Sequence, residues 1–421
     1  GMQGGEAPPA AAHVPTKEYF DEYALLYDHI GMLRDFKRMS AYHDAIKQNA
    51  AADFEGKVVL DVGTGTGVLA IWAAQAGARK VYAVEATGCA RHAEALAKAN
   101  GVGGVVEVVR GTLEDVTLPE QVDVIVSEWM GYFLLRESMV ESVLLARDRW
   151  LRPGGKMYPA TARLMLAPIE DEPFVAKRRE EVVDVMRQWD ELDDKMRASY
   201  GISLEALRPA YVSEHDDWLY RSGWQGEVPA RVLSGEAVPL LEVDMHTVAF
   251  DDLFGWSRAL TIREASPDTP VAGVVGWFEV SFCAPAEATR RRAVAADGSD
   301  EGADEGADEG CVELSTSPTA VPTHWGQTAL FLHPPLTGPA VELTLRQSTR
   351  NHHDLNITLA YAGVAEGDAP VQAHYSVTGE AKGYEELNRG DDAFPAEEHD
   401  ASEAYDSDLE LDDDGPEEAD S

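Results

Sequence analysis

The segment Asp61-Val62-Gly63-Thr64-Gly65-Thr66-Gly67 follows a short apolar run, Lys57-Val58-Val59-Leu60, and leads straight into the apolar stretch Val68 to Gln75. Strand, glycine-rich turn and helix in this order leave few folds open. Glycines let the backbone turn tightly and come close to a ligand at a helix N-terminus. The pattern then repeats. Lys80 to Glu85 reads as a second strand, Ala90 to Asn100 as a helix stopped at Gly101, Val105 to Val109 as a third strand and Val122 to Val126 as a fourth. Strands alternating with helices in this way build a parallel, doubly wound sheet. Leu151-Arg152-Pro153-Gly154-Gly155 reads as a turn that ends the next helix. Beyond it the texture changes. Alternating runs at Arg163 to Ala167, Val238 to Val248, Val271 to Phe282 and Val341 to Leu345 predict an antiparallel all-β module. The expected fold class is therefore α/β plus all-β. An aromatic, helix-prone excursion at about 200–228, with Trp218, Tyr220 and Trp224, interrupts the strands and reads as a contact arm between protomers.

The glycine spacing narrows the ligand. A dinucleotide loop of the GxGxxG type needs glycine at position 68, where Val68 stands. GxGxG suits a ligand without a pyrophosphate. Glu85 ends the second strand, about where an acidic residue grips ribose hydroxyls. Together with Asp61, Gly63 and Gly65 this points to an adenosyl ligand, S-adenosylmethionine ahead of NAD.

After the fourth strand comes Ser127-Glu128-Trp129-Met130-Gly131-Tyr132-Phe133-Leu134-Leu135-Arg136-Glu137, in which two glutamates bracket an apolar run. Ligands bind at the carboxyl ends of parallel strands, so Glu128 is placed at a site. Glu137 stands too far along a single helix to be its neighbour, but Gly131 allows the chain to fold back. Two carboxylates about 5 Å apart repel by roughly 3 kcal/mol at an effective dielectric near 20. A site that holds them together expects a cation. The planar arginine guanidinium, with five N–H donors in a fork, matches two carboxylates better than a compact lysine ammonium does.

The formal net charge is -40. With the 15 acids from Asp391 onward and the seven of Asp297 to Gly310 set aside, it is still -18. Such a surface repels nucleic acid and steers basic partners inward. Insert and tail are low-complexity and expected to be disordered. Three cysteines, none at zinc-ligand spacing, fit a reducing compartment and give no metal signal. No apolar run reaches membrane-spanning length. The expectation is a nuclear or cytoplasmic protein without membrane or nucleic-acid contacts. An NAD-dependent reductase conflicts with Val68 and the antiparallel second half. A purely scaffolding protein has no need of Glu128, Glu137 and Arg38.

DVGTGTG, the strand end at Glu85, SEWMGYFLLRE and the later Pro322-Thr323-His324-Trp325 resemble the protein arginine methyltransferases, most of all their plant-specific, asymmetrically dimethylating branch. The resemblance runs from about Tyr19 to about Tyr384. It implies a Rossmann-like S-adenosylmethionine domain, an antiparallel β-barrel domain and a head-to-tail homodimer joined by the arm. It also implies protein substrates rich in arginine, histone tails among them. By position, Glu128 and Glu137 hold and polarise the substrate guanidinium. Arg38 meets the cofactor carboxylate, His29 lies against the cofactor, and Leu113 and Glu114 flank the adenine. Tyr19, Phe20 and Tyr23 close over the site. Met32, Met139 and Trp325 lie beside the substrate, methionine at position 32 going with the asymmetric product. His324 pairs with Asp35. The domain map expected is a disordered start (1–16), cofactor-covering helices (17–50), the Rossmann-like domain (51–158), the barrel (159–389, acidic insert about 293–311) and an acidic tail (390–421).

Overall fold

The computed structural model describes residues 23–170, 173–261, 271–283, 311–336, 340–348, 351–361 and 371–378. Tyr19, Phe20, the start of the chain, the acidic insert up to residue 310 and the tail lie outside the described residues.

Two helices open the described chain, α1 (Leu26–Arg34) and α2 (Phe36–Gln48), separated only by Asp35, whose carboxylate caps α2 by accepting the Arg38 N–H at 2.9 Å. Five parallel strands follow: β1 (Val58–Val62), β2 (Lys80–Glu85), β3 (Val106–Arg110), β4 (Val122–Val126) and β5 (Leu151–Tyr158), in the order β3-β2-β1-β4-β5. The helices between them are α3 (Val68–Gln75), α4 (Ala90–Ala99) and α5 (Val140–Trp150). All five residues of β1 are buried, as expected of a strand covered on both faces, and each large apolar side chain so buried contributes about 1.5–3 kcal/mol. The strand order reverses between β1 and β4, and the crevice outside their carboxyl ends is where such sheets bind ligands. The expected turn at Leu151 to Gly155 is instead the start of β5. Val122 pairs with Leu151 but Val124 with Lys156, so Pro153, Gly154 and Gly155 are taken up in an irregularity of the ladder.

The second half forms two antiparallel sheets. The first carries β6 (Thr161–Glu170), β7 (Trp224–Gly226), β8 (Val238–Asp244), β10 (Val271–Ser281), β11 (Glu313–Ser315) and β12 (Gln327–Leu336). The second carries β9 (Trp256–Thr261), β13 (Ala340–Gln347), β14 (Leu355–Tyr361) and β15 (Val371–Val377). A single closed barrel ladder is not formed among the described residues. The sheets meet through their shared core, a Ser222–Ser376 bridge and the Tyr375 hydroxyl on the Phe331 carbonyl (2.6 Å). The same hydrophobic core cluster continues into the parallel sheet.

The helical excursion is longer than expected and begins earlier. Helix α6 (Pro173–Tyr200) precedes the expected bounds, and α7 (Arg208–Arg221) lies within them. Helix α6 is rich in Glu, Arg and Lys, good helix formers, with no aromatic run to draw attention. Trp189 stacks on Tyr211 (4.4 Å between centroids), and Asp193 ties Arg197, Ser203 and the Leu204 N–H together. The base of the arm packs Phe174, Val175 and Leu219 on β10 and β12. Cys283 and Cys311, 28 residues apart, are joined in a disulfide across the stem where β10 leaves and β11 returns (Cα–Cα 5.0 Å). Composition alone gave no sign of that pairing.

Candidate active site

The first side of the site is the turn after β1. Gly65 has φ +54°, and a Cβ there would meet His29 Cε1 at 3.0 Å, so glycine is required where α1 closes on the loop. His29 is buried, and its Nε2 faces the Tyr23 carbonyl at 3.0 Å. A carbonyl only accepts, so Nε2 carries the hydrogen. Glu85 is buried at the end of β2, with Oε2 accepting from the Gly65 N–H and Oε1 from the Thr87 N–H, each at 2.8 Å. Asp61 accepts from the Thr64 hydroxyl (2.6 Å) and the Ala70 N–H (3.0 Å) through Oδ2. Its Oδ1 is buried and has no hydrogen-bond partner among the described residues. Burial pushes the Asp61 carboxyl up to about 7, against the bonds from Thr64 and Ala70. Leu113 is buried and Glu114 exposed; the Arg149 guanidinium holds both carbonyls, at 2.9 and 3.1 Å.

The second side is the loop after β4. Ser127 donates to the Val62 carbonyl (2.9 Å) and so ties β4 to β1 at the switch point. Tyr42 of α2 donates to the Ser127 carbonyl at 2.9 Å. Trp129, Met130, Phe133, Leu134 and Leu135 are all buried. The chain folds back through Gly131 N–H to Leu134 O (3.0 Å) and Arg136 N–H to Tyr132 O (3.1 Å). Phe133, Leu134, Glu137 and Ser138 all have positive φ, a conformation that costs non-glycine residues about 1–3 kcal/mol each and gathers at functional sites. This backbone turns Glu137 back toward Glu128. The Glu128 charge acts on the Glu137 carboxyl, which burial chiefly pushes above the usual glutamate range, opposed by Arg136 and the Tyr23 hydroxyl.

Each glutamate already has a cation of its own. Arg38 Nε donates to Glu128 Oε2 at 3.1 Å, and Arg136 Nη1 donates to Glu137 Oε1 at 3.2 Å. The Tyr23 hydroxyl donates to Glu137 Oε2 at 2.7 Å. Glu128 Oε1 is buried and without a hydrogen-bond partner among the described residues. Arg38, expected on the cofactor carboxylate, here bridges Glu128 and the Met32 carbonyl (2.8 Å). Met32 and Met139 are half-buried. The Met139 methyl lies over Gly63, 2.2 Å from where a Cβ would sit.

His324 and Asp35 come together across the two halves. Asp35 Oδ2 accepts the His324 N–H at 2.9 Å and faces its Nδ1 at 2.8 Å. Burial raises the Asp35 carboxyl, but the bonds from His324 and from the Arg38 N–H outweigh it and the net shift is downward. Trp325, expected beside the substrate, is buried: its indole N–H donates to the Met130 carbonyl at 2.9 Å and its ring packs edge-on against Phe278. It braces the glutamate loop from beneath. Arg136, Arg149, Tyr42 and the turn at His352 to Asp354 were not singled out by sequence reasoning. Only Arg136 carried a signal, as a cation adjacent to Glu137.

A parallel sheet with a glycine loop at its switch point, a buried strand-end glutamate and two unpartnered buried carboxylate oxygens is the frame of a nucleotide-type ligand site with room for a cation. The family profile described as "Methyltransferase domain" matches residues 59–155. Protein arginine N-methyltransferase PRMT10 of Oryza sativa subsp. japonica is 42% identical over 365 residues, covering 85% of this chain and 90% of that protein. The Arabidopsis thaliana PRMT10 is 39% identical over 362 residues (85% and 89%). Among solved structures, Arabidopsis protein arginine methyltransferase 10 in an open conformation matches with a TM-score of 0.70 at 37% identity, covering 86% of this chain and all of that one. The Trypanosoma brucei PRMT1 enzyme–prozyme heterotetramer with AdoHcy matches with a TM-score of 0.66 at 30% identity (85% and 100%). The chain belongs to the protein arginine N-methyltransferases, enzymes that use S-adenosylmethionine to methylate arginine in proteins.

Proposed function

We propose that this chain methylates arginine in basic, arginine-rich proteins, histone tails among them, forms mono- and asymmetric dimethylarginine, and works as a homodimer. The observation that carries the site assignment is the buried Glu128 Oε1 without a partner, close enough to the half-buried Glu137 for the two charges to act on each other. A guanidinium N–H satisfies that oxygen, and leaving it unmet is costly. The residues present fit the cofactor: Asp61 Oδ1, Glu85 and the glycine loop would hold it, with His29 and Met139 over the loop. When bound, S-adenosylmethionine supplies an electrophilic sulfonium methyl group. The rest is the work of the chain. Glu128 and Glu137 draw positive charge toward one guanidinium nitrogen and leave electron density on the other. Glu137, its carboxyl raised by burial, is suited to take the proton that the methylated nitrogen gives up. Asp35, held below the usual range, remains an anion that orients His324 and caps α2. Methionine at position 32 is what the asymmetrically dimethylating branch that the sequence resembles carries there. The acidic surface suits basic substrates. Leu192, Tyr200, Ile202 and Leu207 expose apolar surface around the end of α6, as a protomer contact needs.

Glu128→Gln is the test. It retains cofactor binding and loses most turnover on a histone-tail peptide; near-normal turnover would overturn the assignment. Hydrolysis and amino-acid analysis of the methylated peptide should yield asymmetric dimethylarginine, and symmetric product alone would refute that reading. Light scattering should give twice the chain mass; a monomer would refute the dimer.

A further inference from the structure

Glu137 has φ 83° and Ser138 φ 57°. Two successive side-chain-bearing residues stay in the left-handed region only where their surroundings fix them. The fixing groups come from the turn at Asn351 to Asp354, between β13 and β14. The Glu137 N–H donates to the His353 carbonyl at 2.6 Å. His353 Nδ1 lies 2.5 Å from the Glu137 carbonyl, and since a carbonyl only accepts, Nδ1 is the donor. Both backbone groups of Glu137 are thus held by one residue. The Ser138 hydroxyl donates to the His352 carbonyl at 2.6 Å and receives Gln347 Nε2 at 3.0 Å. Arg136 pairs with Glu137 Oε1 and reaches Asp354 at 3.6 Å. The turn is itself shaped from within: Asn351 accepts the His353 N–H and donates to Asp354, each at 3.1 Å. His353 is 4% exposed and sealed in this contact.

We infer that His353, presented by the turn between β13 and β14, is the positioning residue that sets the backbone of Glu137 for catalysis. The inference rests on the reading that Glu137 receives the substrate guanidinium. Burial keeps the His353 imidazole in its neutral form, since its pKa is lowered chiefly by desolvation, so the bond to Glu137 is a neutral one. The residue reaches the reaction through the backbone of Glu137.

The full chain is assayed as wild type, His353→Ala, His353→Asn, His353→Gln and Glu137→Gln, for kcat and KM on an arginine-containing peptide and for S-adenosylhomocysteine affinity by calorimetry. The asparagine amide stands near Nδ1 and can still donate to the Glu137 carbonyl; glutamine carries its amide one methylene too far. His353→Ala should lower kcat at least about tenfold, with cofactor affinity within about twofold. Asparagine should restore most of that loss and glutamine little. Should the alanine variant fail to fold, the asparagine–glutamine contrast alone decides. Wild-type kcat in His353→Ala, or equal losses in the asparagine and glutamine variants, would overturn the inference. If Glu137→Gln turns over normally, it is the reading of Glu137 that fails instead.

Discussion

Gly131→Ala is expected to silence methyl transfer while sparing the cofactor loop. A Cβ at position 131 would lie 1.8 Å from the Arg136 carbonyl oxygen and 2.7 Å from its carbon. Real Cβ atoms essentially never approach closer than 3.0 Å, so from 1.8 Å something must move by at least 1.2 Å. The obstacle is backbone, with no rotatable tip to swing aside. It belongs to the residue immediately before Glu137, so the displacement passes directly into the residue whose carboxylate Tyr23 and Arg136 hold and whose backbone His353 holds. A misplacement of about 1 Å at a reacting centre costs on the order of 100-fold in rate, equivalent to about 2.7 kcal/mol of transition-state stabilisation. Steady-state methylation of an arginine peptide gives kcat, calorimetry gives S-adenosylhomocysteine affinity, and a thermal melt shows that the variant is folded. A folded Gly131→Ala protein with kcat within about threefold of wild type would refute the claim that this loop has one productive shape.

Three further outcomes follow from the same geometry. The Tyr23 hydroxyl lowers the Glu137 carboxyl that burial raises; Tyr23→Phe therefore raises it further, and because only the ionised form receives a guanidinium, the acid limb of kcat/KM should move to higher pH, an unmoved limb being the contrary result. Asp61, pushed up to about 7, binds more protons folded than unfolded below that value, so it erodes stability as pH rises toward 7. The Tm advantage of Asp61→Asn over wild type should therefore widen from about pH 4 to about pH 7, and parallel Tm curves would contradict this. Arg149→Ala frees the carbonyls of Leu113 and Glu114; cofactor affinity should weaken by about 3–10-fold with kcat at saturation unchanged, as titration calorimetry and kinetics would report.

Much of the nucleotide-binding half was legible because its signals are local. The bounds of β2 and α3 coincide with the runs Lys80 to Glu85 and Val68 to Gln75, since apolar runs punctuated by glycine are a property of contiguous sequence. The two glutamates were legible for a different reason: paired carboxylates within an apolar loop are too costly to keep without a purpose. What escaped was set by contacts between distant residues. His353 meets Glu137 from 216 positions away, and Arg149 reaches back to Leu113. Neither stands in a pattern that periodicity can reveal. Trp325 looked like a wall of the pocket, but its indole N–H found a buried carbonyl beneath the loop. Helix α6 was missed because its charges look like solvent-exposed surface until Trp189 is seen stacked on Tyr211. The disulfide was missed because only the antiparallel stem brings Cys283 opposite Cys311.

One apolar cluster runs without a break from β1 through β6, β10 and β12 to β13 and β14. The nucleotide-binding half and its β-rich companion are therefore a single heritable piece. A chimera exchanging the first 158 residues with those of a cousin must match two buried faces at once, and heat should dismantle both halves in one cooperative event instead of two.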